Sequence, residues 1–175
     1  MSRIRVSLAV ATFVAGAIAL TAASHAQCIP DNFPNDWLQQ QENAGGHTIA
    51  KHVGQSDQQL MDRVNGRRGP RAAGSFPASD PPAANYTAAQ TTITQALALA
   101  NQRNALNVWA NGADEGDRRS VAVNAGGTIG RVVTRQAPAN VFNTPYFCMV
   151  FEANGDATCY LLTAFPTPAA NGYCN

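Results

Sequence analysis

Charge is scarce in this chain. Charged residues make up 13% of its 175 positions, and Lys51 is its one lysine. With Arg3 and Arg5 set aside in an N-terminal leader, the formal net charge is about −1. That balance argues against a bulk electrostatic nucleic-acid binder, so any phosphate recognition must be local. No CxxC or HxxxH-type pair lies beside the cysteines, which argues against a zinc centre. Long apolar runs are also missing. Val6 to Leu20 is short for a membrane span, and no basic stop-transfer flank follows it. There is no internal repeat, and no low-complexity tract beyond loops rich in proline and alanine.

What is present begins with a targeting pattern. Arg3 and Arg5 form a basic start and Val6 to Leu20 an apolar stretch. Ser24 and Ala26 occupy the −3 and −1 positions of a cleavage site after Ala26. Residues 1–26 are therefore expected to be a signal peptide, and residues 27–175 a single secreted or periplasmic domain. The residue three before Cys28 is not a branched apolar one, so Cys28 is expected in a disulfide rather than on a lipid. All four cysteines, Cys28, Cys148, Cys159 and Cys174, lie in the exported part, which implies two disulfides. Three pairings are open. Cys148 and Cys159 flank the turn signal Asn154-Gly155, and the favoured pairing is 148–159 with 28–174.

Hydrophobic periodicity places the elements. Phe33, Trp37 and Leu38 anchor the first segment, with Asp36 as a cap for a short helix that Gly45-Gly46 breaks. Ser56 and Gln59 have capping-box spacing at the start of a helix that Asn65-Gly66 ends. Residues 67–82 read as a loop from which Phe76 inserts into the core. A long helix starts at Asn85 or Thr87 and runs to about Ala110, burying Ile93, Leu97, Ala100, Leu106 and Trp109 with a phase drift near Asn104. Four antiparallel strands are predicted over 119–124, 128–135, 146–152 and 158–165. Helices first and a meander afterwards predict an α+β domain.

The chemistry concentrates in Gly45-Gly46-His47-Thr48-Ile49-Ala50-Lys51-His52-Val53-Gly54. This stretch holds His47, His52 and Lys51, and Arg63 follows His52 by eleven positions. Histidine moves a proton near neutrality, and arginine offers forked donors to phosphate oxygens. RNA brings its own nucleophile, the 2′-OH. Such a site needs a base, an acid and phosphate-binding groups, and no metal or other cofactor. A lone histidine of this kind is more often structural than catalytic; its neighbours shift that balance. The remaining arginines cluster as Arg63, Arg67, Arg68 and Arg71, then Arg118 and Arg119, then Arg131 and Arg135. Solvated loops are the bland reading of Arg118 and Arg119.

Gly45 to Gly54, followed by Ser56-Asp57, Leu60 and Arg63, resembles the bacterial RNase A-like domain found at the C-termini of contact-dependent growth inhibition toxins. Phe76, the alanine-rich helix and Leu162-Thr163-Ala164-Phe165-Pro166 match the family pattern in order, so the resemblance covers roughly residues 44–168. It implies a two-lobed, kidney-shaped α+β fold and a metal-independent ribonuclease. It places catalytic roles on His52, Arg63 and Thr163. The family's tyrosine, two positions after the threonine, is replaced here by Phe165, which keeps the ring and loses the hydroxyl.

The resulting expectation is an exported, toxin-like ribonuclease that cleaves by 2′-OH transphosphorylation. His52 is base or acid, His47 takes the complementary role, and Arg63 and Thr163 bind the phosphoryl group. Lys51 and Phe165 contact substrate. RNA is the expected partner, with a cognate immunity protein, no membrane association after leader cleavage, and a monomeric state. The loss of the tyrosine hydroxyl favours an alternative, a secreted non-catalytic binding module on the same fold. A disulfide-stabilised inhibitor or structural protein would leave the His-Arg cluster without a task.

Overall fold

The computed structural model describes residues 27–78, 86–171 and 173–174. The expected leader and its cleavage site, residues 79–82 of the expected loop, and Asn85 as a helix start lie outside these residues.

Three short helices come first: α1 (Trp37–Asn43), α2 (Thr48–His52) and α3 (Asp57–Asn65). Asp36 precedes α1, but its carboxylate bonds no helix N–H and accepts from Gln40 Nε2 at 3.0 Å. The entry angle of α1 is set instead by Gln90, whose Oε1 accepts from the Leu38 N–H at 2.8 Å. The α3 capping box forms as its sequence requires. Ser56 Oγ accepts from the Gln59 N–H at 3.2 Å, and Gln59 Oε1 accepts from the Ser56 N–H at 2.7 Å.

The expected long helix is two, α4 (Thr87–Ala98) and α5 (Ala100–Ala110), broken at Leu99, which takes an extended ψ of 123°. Leu97 and Leu106 are both fully buried. Nine residues at 3.6 per turn would put them about 180° apart on one straight helix. The break lets both face the core, and it leaves Leu99 and Ala100 exposed. Ala100 is thus not on the buried side.

Six strands follow or interleave: β1 (Ala72–Ser75), β2 (Arg118–Asn124), β3 (Gly130–Thr134), β4 (Ala137–Thr144), β5 (Tyr146–Ala153) and β6 (Cys159–Thr167). They form two three-stranded antiparallel sheets, β1-β3-β4 and β2-β5-β6, in place of one meander. The four predicted strands are β2, β3, β5 and β6; β1 and β4 were not foreseen. β4 carries Pro138 on the edge of its sheet, the position where a strand tolerates proline and a weak alternation. β1 is Ala-Ala-Gly-Ser, a loop-like composition recruited into a strand.

The main core packs the helices α1, α4 and α5 against the inner face of β2-β5-β6 through Leu38, Ile93, Leu97, Leu106, Phe147, Met149 and Phe151. Phe76 belongs to it, as its sequence position implied. A second cluster, Leu60, Val64, Ala73 and Val133, fixes α3 on the other sheet.

The disulfides are 28–159 and 148–174, which corrects the favoured pairing. The β5–β6 register sets Cys159 opposite Ala153 and Cys148 opposite Phe165. The two cysteines of the hairpin are thus five residues apart along the ladder, about 17 Å at strand rise. They also face opposite sides of the sheet. Cys28, with a Cα–Cα distance of 4.6 Å to Cys159, staples the N-terminal segment to the start of β6. The Ile29 N–H donates to Asn107 Oδ1 at 2.8 Å and holds that segment on α5.

Candidate active site

The site lies where α2 bridges the two sheets. Gly45 has a φ of +118°, and a Cβ on Gly46 would sit 2.6 Å from the Leu161 carbonyl oxygen. Glycine at these positions lets the chain turn tightly against β6. The His47 N–H then donates to the Leu162 carbonyl at 2.9 Å, and Thr48 Oγ1 accepts from the Ala164 N–H at 2.8 Å. Glu42 caps the first turn of α2 from outside, its two oxygens accepting from the Ile49 and Ala50 N–H groups at 2.9 Å each. At the other end, the His52 carbonyl accepts from the Phe76 N–H at 2.8 Å, and Val53 bridges in parallel to Phe76. Gly74 in β1 meets β6 so closely that a Cβ there would lie 2.1 Å from the Pro166 carbonyl oxygen.

His52 is buried at this seam, 6% exposed. Its Nδ1 lies 3.1 Å from the Gly74 carbonyl oxygen. A carbonyl only accepts, so Nδ1 carries the hydrogen and Nε2 keeps its lone pair. Burial pushes the imidazole down to about 4, opposed by the Gly74 bond and assisted by the charges of Arg63, His47 and Lys51. At neutral pH His52 is an uncharged imidazole with a fixed tautomer, the state a general base needs.

Arg63 reaches this cluster through the Lys51 carbonyl and through its charge on His52. Arg63 Nη1 donates to the Lys51 carbonyl at 3.1 Å, and burial lowers the guanidinium from its ordinary value. The Lys51 side chain is exposed and acts on the histidines through its charge. His47 is half-buried at the start of α2, lowered first by burial and then by Lys51, with Glu42 opposing.

A β-bulge aims the last two expected residues. Val150 pairs with Thr163 and Phe151 with Leu161, so Leu162 is the extra residue on β6. Leu161 and Ala164 therefore both reach the main core, against strict alternation. Thr163 and Phe165 turn to the opposite face. The Phe165 ring packs on the His52 imidazole at 5.2 Å between centroids and 34° between planes. Thr163 Oγ1 is buried and has no hydrogen-bond partner among the described residues. A buried donor left open costs stability unless something binds it.

Contacts therefore join His52 directly to Phe165 and to the Gly74 carbonyl. Arg63 and Lys51 join through one hydrogen bond, and His47 through charge. Thr163 shares a sheet face with Phe165. Two of the other arginines are structural: Arg131 pairs with Asp57 at 2.6 Å, and Arg135 donates to the Val64 and Gly66 carbonyls at the end of α3. Arg118 lies on a strand rather than a loop. Its Nε donates to Glu152 at 2.7 Å, and the Tyr160 hydroxyl donates to the other Glu152 oxygen at 2.6 Å. Those two bonds hold Glu152 below the usual carboxylate range. Sequence reasoning missed this trio, although β-register places all three side by side and the charge of Arg118 reaches His47. It also missed the Gly74 carbonyl, since a backbone acceptor has no residue-type signature.

The model of the bacterial CdiA-CT RNase A domain matches residues 46–166. The fold is similar to a chain in a crystal structure of a CdiA-CT/CdiI complex from Y. kristensenii 33638, with a TM-score of 0.57 at 22% identity. That likeness covers 70% of this chain and 100% of the other. No curated protein matches the sequence.

Proposed function

This chain belongs to the bacterial CdiA-CT RNase A domain family, and on that premise we propose that it is a toxin ribonuclease cleaving RNA by transphosphorylation at the His52 seam. The observation that carries the reading is the state of His52: uncharged, with Nδ1–H held by the Gly74 carbonyl, and within reach of the charge of Arg63, which bonds the Lys51 carbonyl. In this mechanism His52 Nε2 takes the proton of the 2′-OH. The 2′-oxygen attacks phosphorus, the bond to the 5′-oxygen breaks, and a 2′,3′-cyclic phosphate forms. Arg63 neutralises charge on the phosphorane oxygens, and the open hydroxyl of Thr163 donates to one of them. His47 gives the proton to the leaving 5′-oxygen. The lowered value of His47 leaves less of it protonated in the free protein, and a bound phosphate would raise it.

Phe165 supports the second reading, a binding module. Its ring fills the contact with His52 but brings no hydroxyl. The experiment that separates the two is cleavage of total RNA in chelator by the oxidised protein, beside His52→Ala and Arg63→Ala. Loss of an acid–base group costs about 10²–10⁴-fold. Retained cleavage in both variants removes these residues from the mechanism. Binding without cleavage by the parent favours the module.

The sequence pattern of residues 1–26 supports export, and the cysteine pairs suit an oxidising compartment. The structural neighbour is a complex with CdiI, which supports a cognate immunity protein as partner here. On this reading the protein acts as a monomer.

A further inference from the structure

The region matched by the family model stops at residue 166, and the structure continues. Thr144 Oγ1 donates to the Thr167 carbonyl at 2.6 Å, and Thr167 Oγ1 donates to the Ala169 carbonyl at 2.9 Å. The segment then returns to the sheet, where Cys174 is bonded to the fully buried Cys148 of β5. Cys148 pairs in register with Phe165. The tail is thus pinned beside the residue whose ring packs on His52.

Between this tail and β1 is a cavity of about 380 Å³, lined among others by Arg71, Phe165, Pro166 and Tyr173. Its volume falls within the range of small-molecule sites, about 300–1,000 Å³. Its wall carries two aromatic rings, Phe165 and Tyr173, and one cation. The Arg71 guanidinium lies over the Tyr173 ring at 5.5 Å. Rings that accept a stacked base, with a basic group tracking the backbone, are the means by which single-stranded nucleic acid is held without base pairing. Phe165 belongs to both places, with its ring on His52 and in the cavity wall. A nucleotide next to the scissile phosphate reaches the cavity across a single side chain.

We propose that this cavity is a nucleobase subsite. The base of a nucleotide flanking the cleaved bond stacks on Phe165 and Tyr173, and Arg71 moves from the Tyr173 ring to a phosphate oxygen. The Cys148–Cys174 bond holds the Tyr173 wall in place. The assignment deepens the ribonuclease reading and rests on it for the identity of the ligand. It adds Tyr173, beyond the matched family region, and Arg71, outside the His52 cluster.

The test uses the oxidised protein with Tyr173→Ala, Tyr173→Phe, Arg71→Ala and the double variant Cys148→Ala/Cys174→Ala. Two readouts run in parallel: steady-state cleavage of a fluorogenic RNA, and equilibrium binding of uridine 3′-phosphate by calorimetry. Tyr173→Ala should raise KM and the nucleotide Kd about tenfold, the size of one lost stack, with kcat within about twofold of the parent. Tyr173→Phe should behave as the parent, and the double cysteine variant should follow Tyr173→Ala. Arg71→Ala should weaken binding and flatten its salt dependence. If KM and Kd are unchanged in Tyr173→Ala while His52→Ala abolishes cleavage, the subsite is wrong and the ribonuclease reading stands. If the parent does not cleave RNA, nucleotide binding decides alone: a Kd that depends on Tyr173 sustains the subsite, and absent or Tyr173-independent binding overturns it. An unchanged KM in the cysteine variant removes the tether from the proposal.

Discussion

Protonating His52 should destabilise this protein, and the size of the effect follows from its burial. The imidazole falls from 6.5 in the unfolded chain to about 4 in the folded one. The unfolded state therefore binds the proton more readily. The stability due to the neutral imidazole is complete above pH 6.5 and is lost progressively as pH falls toward 4. Each pH unit between those values costs about 1.4 kcal/mol. Between pH 7.5 and 4.5 the loss from this one group is about 2–3 kcal/mol, or roughly 5–10 °C in Tm for a domain of this length. Carboxylates titrate in the same window, so the parent curve alone proves little. His52→Gln keeps an uncharged amide at the site and removes the titration. We expect the parent to lose about 2–3 kcal/mol more than His52→Gln over that interval, measured by urea denaturation at each pH. Parallel pH profiles for the two proteins would refute the buried neutral imidazole, and with it the base assigned to the reaction.

The same lowering predicts the pH–rate profile. With His52 near 4 and His47 below 6.5, kcat/KM should peak on the acidic side of pH 6.5, and an optimum at pH 8 would assign the base to another group. Phe165→Tyr adds a hydroxyl on a ring that lines an open cavity, where water can satisfy it, so the cost should stay below the 1–3 kcal/mol of an unpaired buried group. Initial rates on RNA should rise with little change in Tm; a fall in Tm with no gain in rate would place that ring edge in packed core. Gly74→Ala drives a methyl into the Pro166 carbonyl and should cost at least 1–3 kcal/mol by chemical denaturation, with activity lost through displacement of the His52 acceptor. A variant as stable and active as the parent would show that β1 and β6 are not in the contact described.

The site was legible in the sequence to an unequal degree. The glycine pair, the two histidines and Arg63 are close in sequence, and a short helix and a capped helix are local objects. Thr163 and Phe165 entered through a family resemblance, since nothing near them in the chain marks them out. What puts them on the face away from the main core is the bulge at Leu162, and a bulge is a property of two strands in register. Arg118, Glu152 and Tyr160 stayed invisible for the same reason, being neighbours across a sheet and remote along the chain.

The sequence by itself determined the local elements: the Ser56 capping box, the glycine breaks, the apolar faces of α4 and α5, and four of the strands. These follow from propensity and periodicity within a few residues. Tertiary structure alone decided the rest. Leu97 and Leu106 could share a core only if the helix broke. Ala72–Ser75 became a strand because β3 and the Pro166 backbone were there to receive it. Cys148 and Cys159, adjacent in the hairpin, found partners at the two chain ends because register placed them about 17 Å apart and on opposite faces. The protonation of His52 is the clearest case. The residue type allows either charge, and burial, with the nearby cations, selects the neutral form against the opposing Gly74 bond.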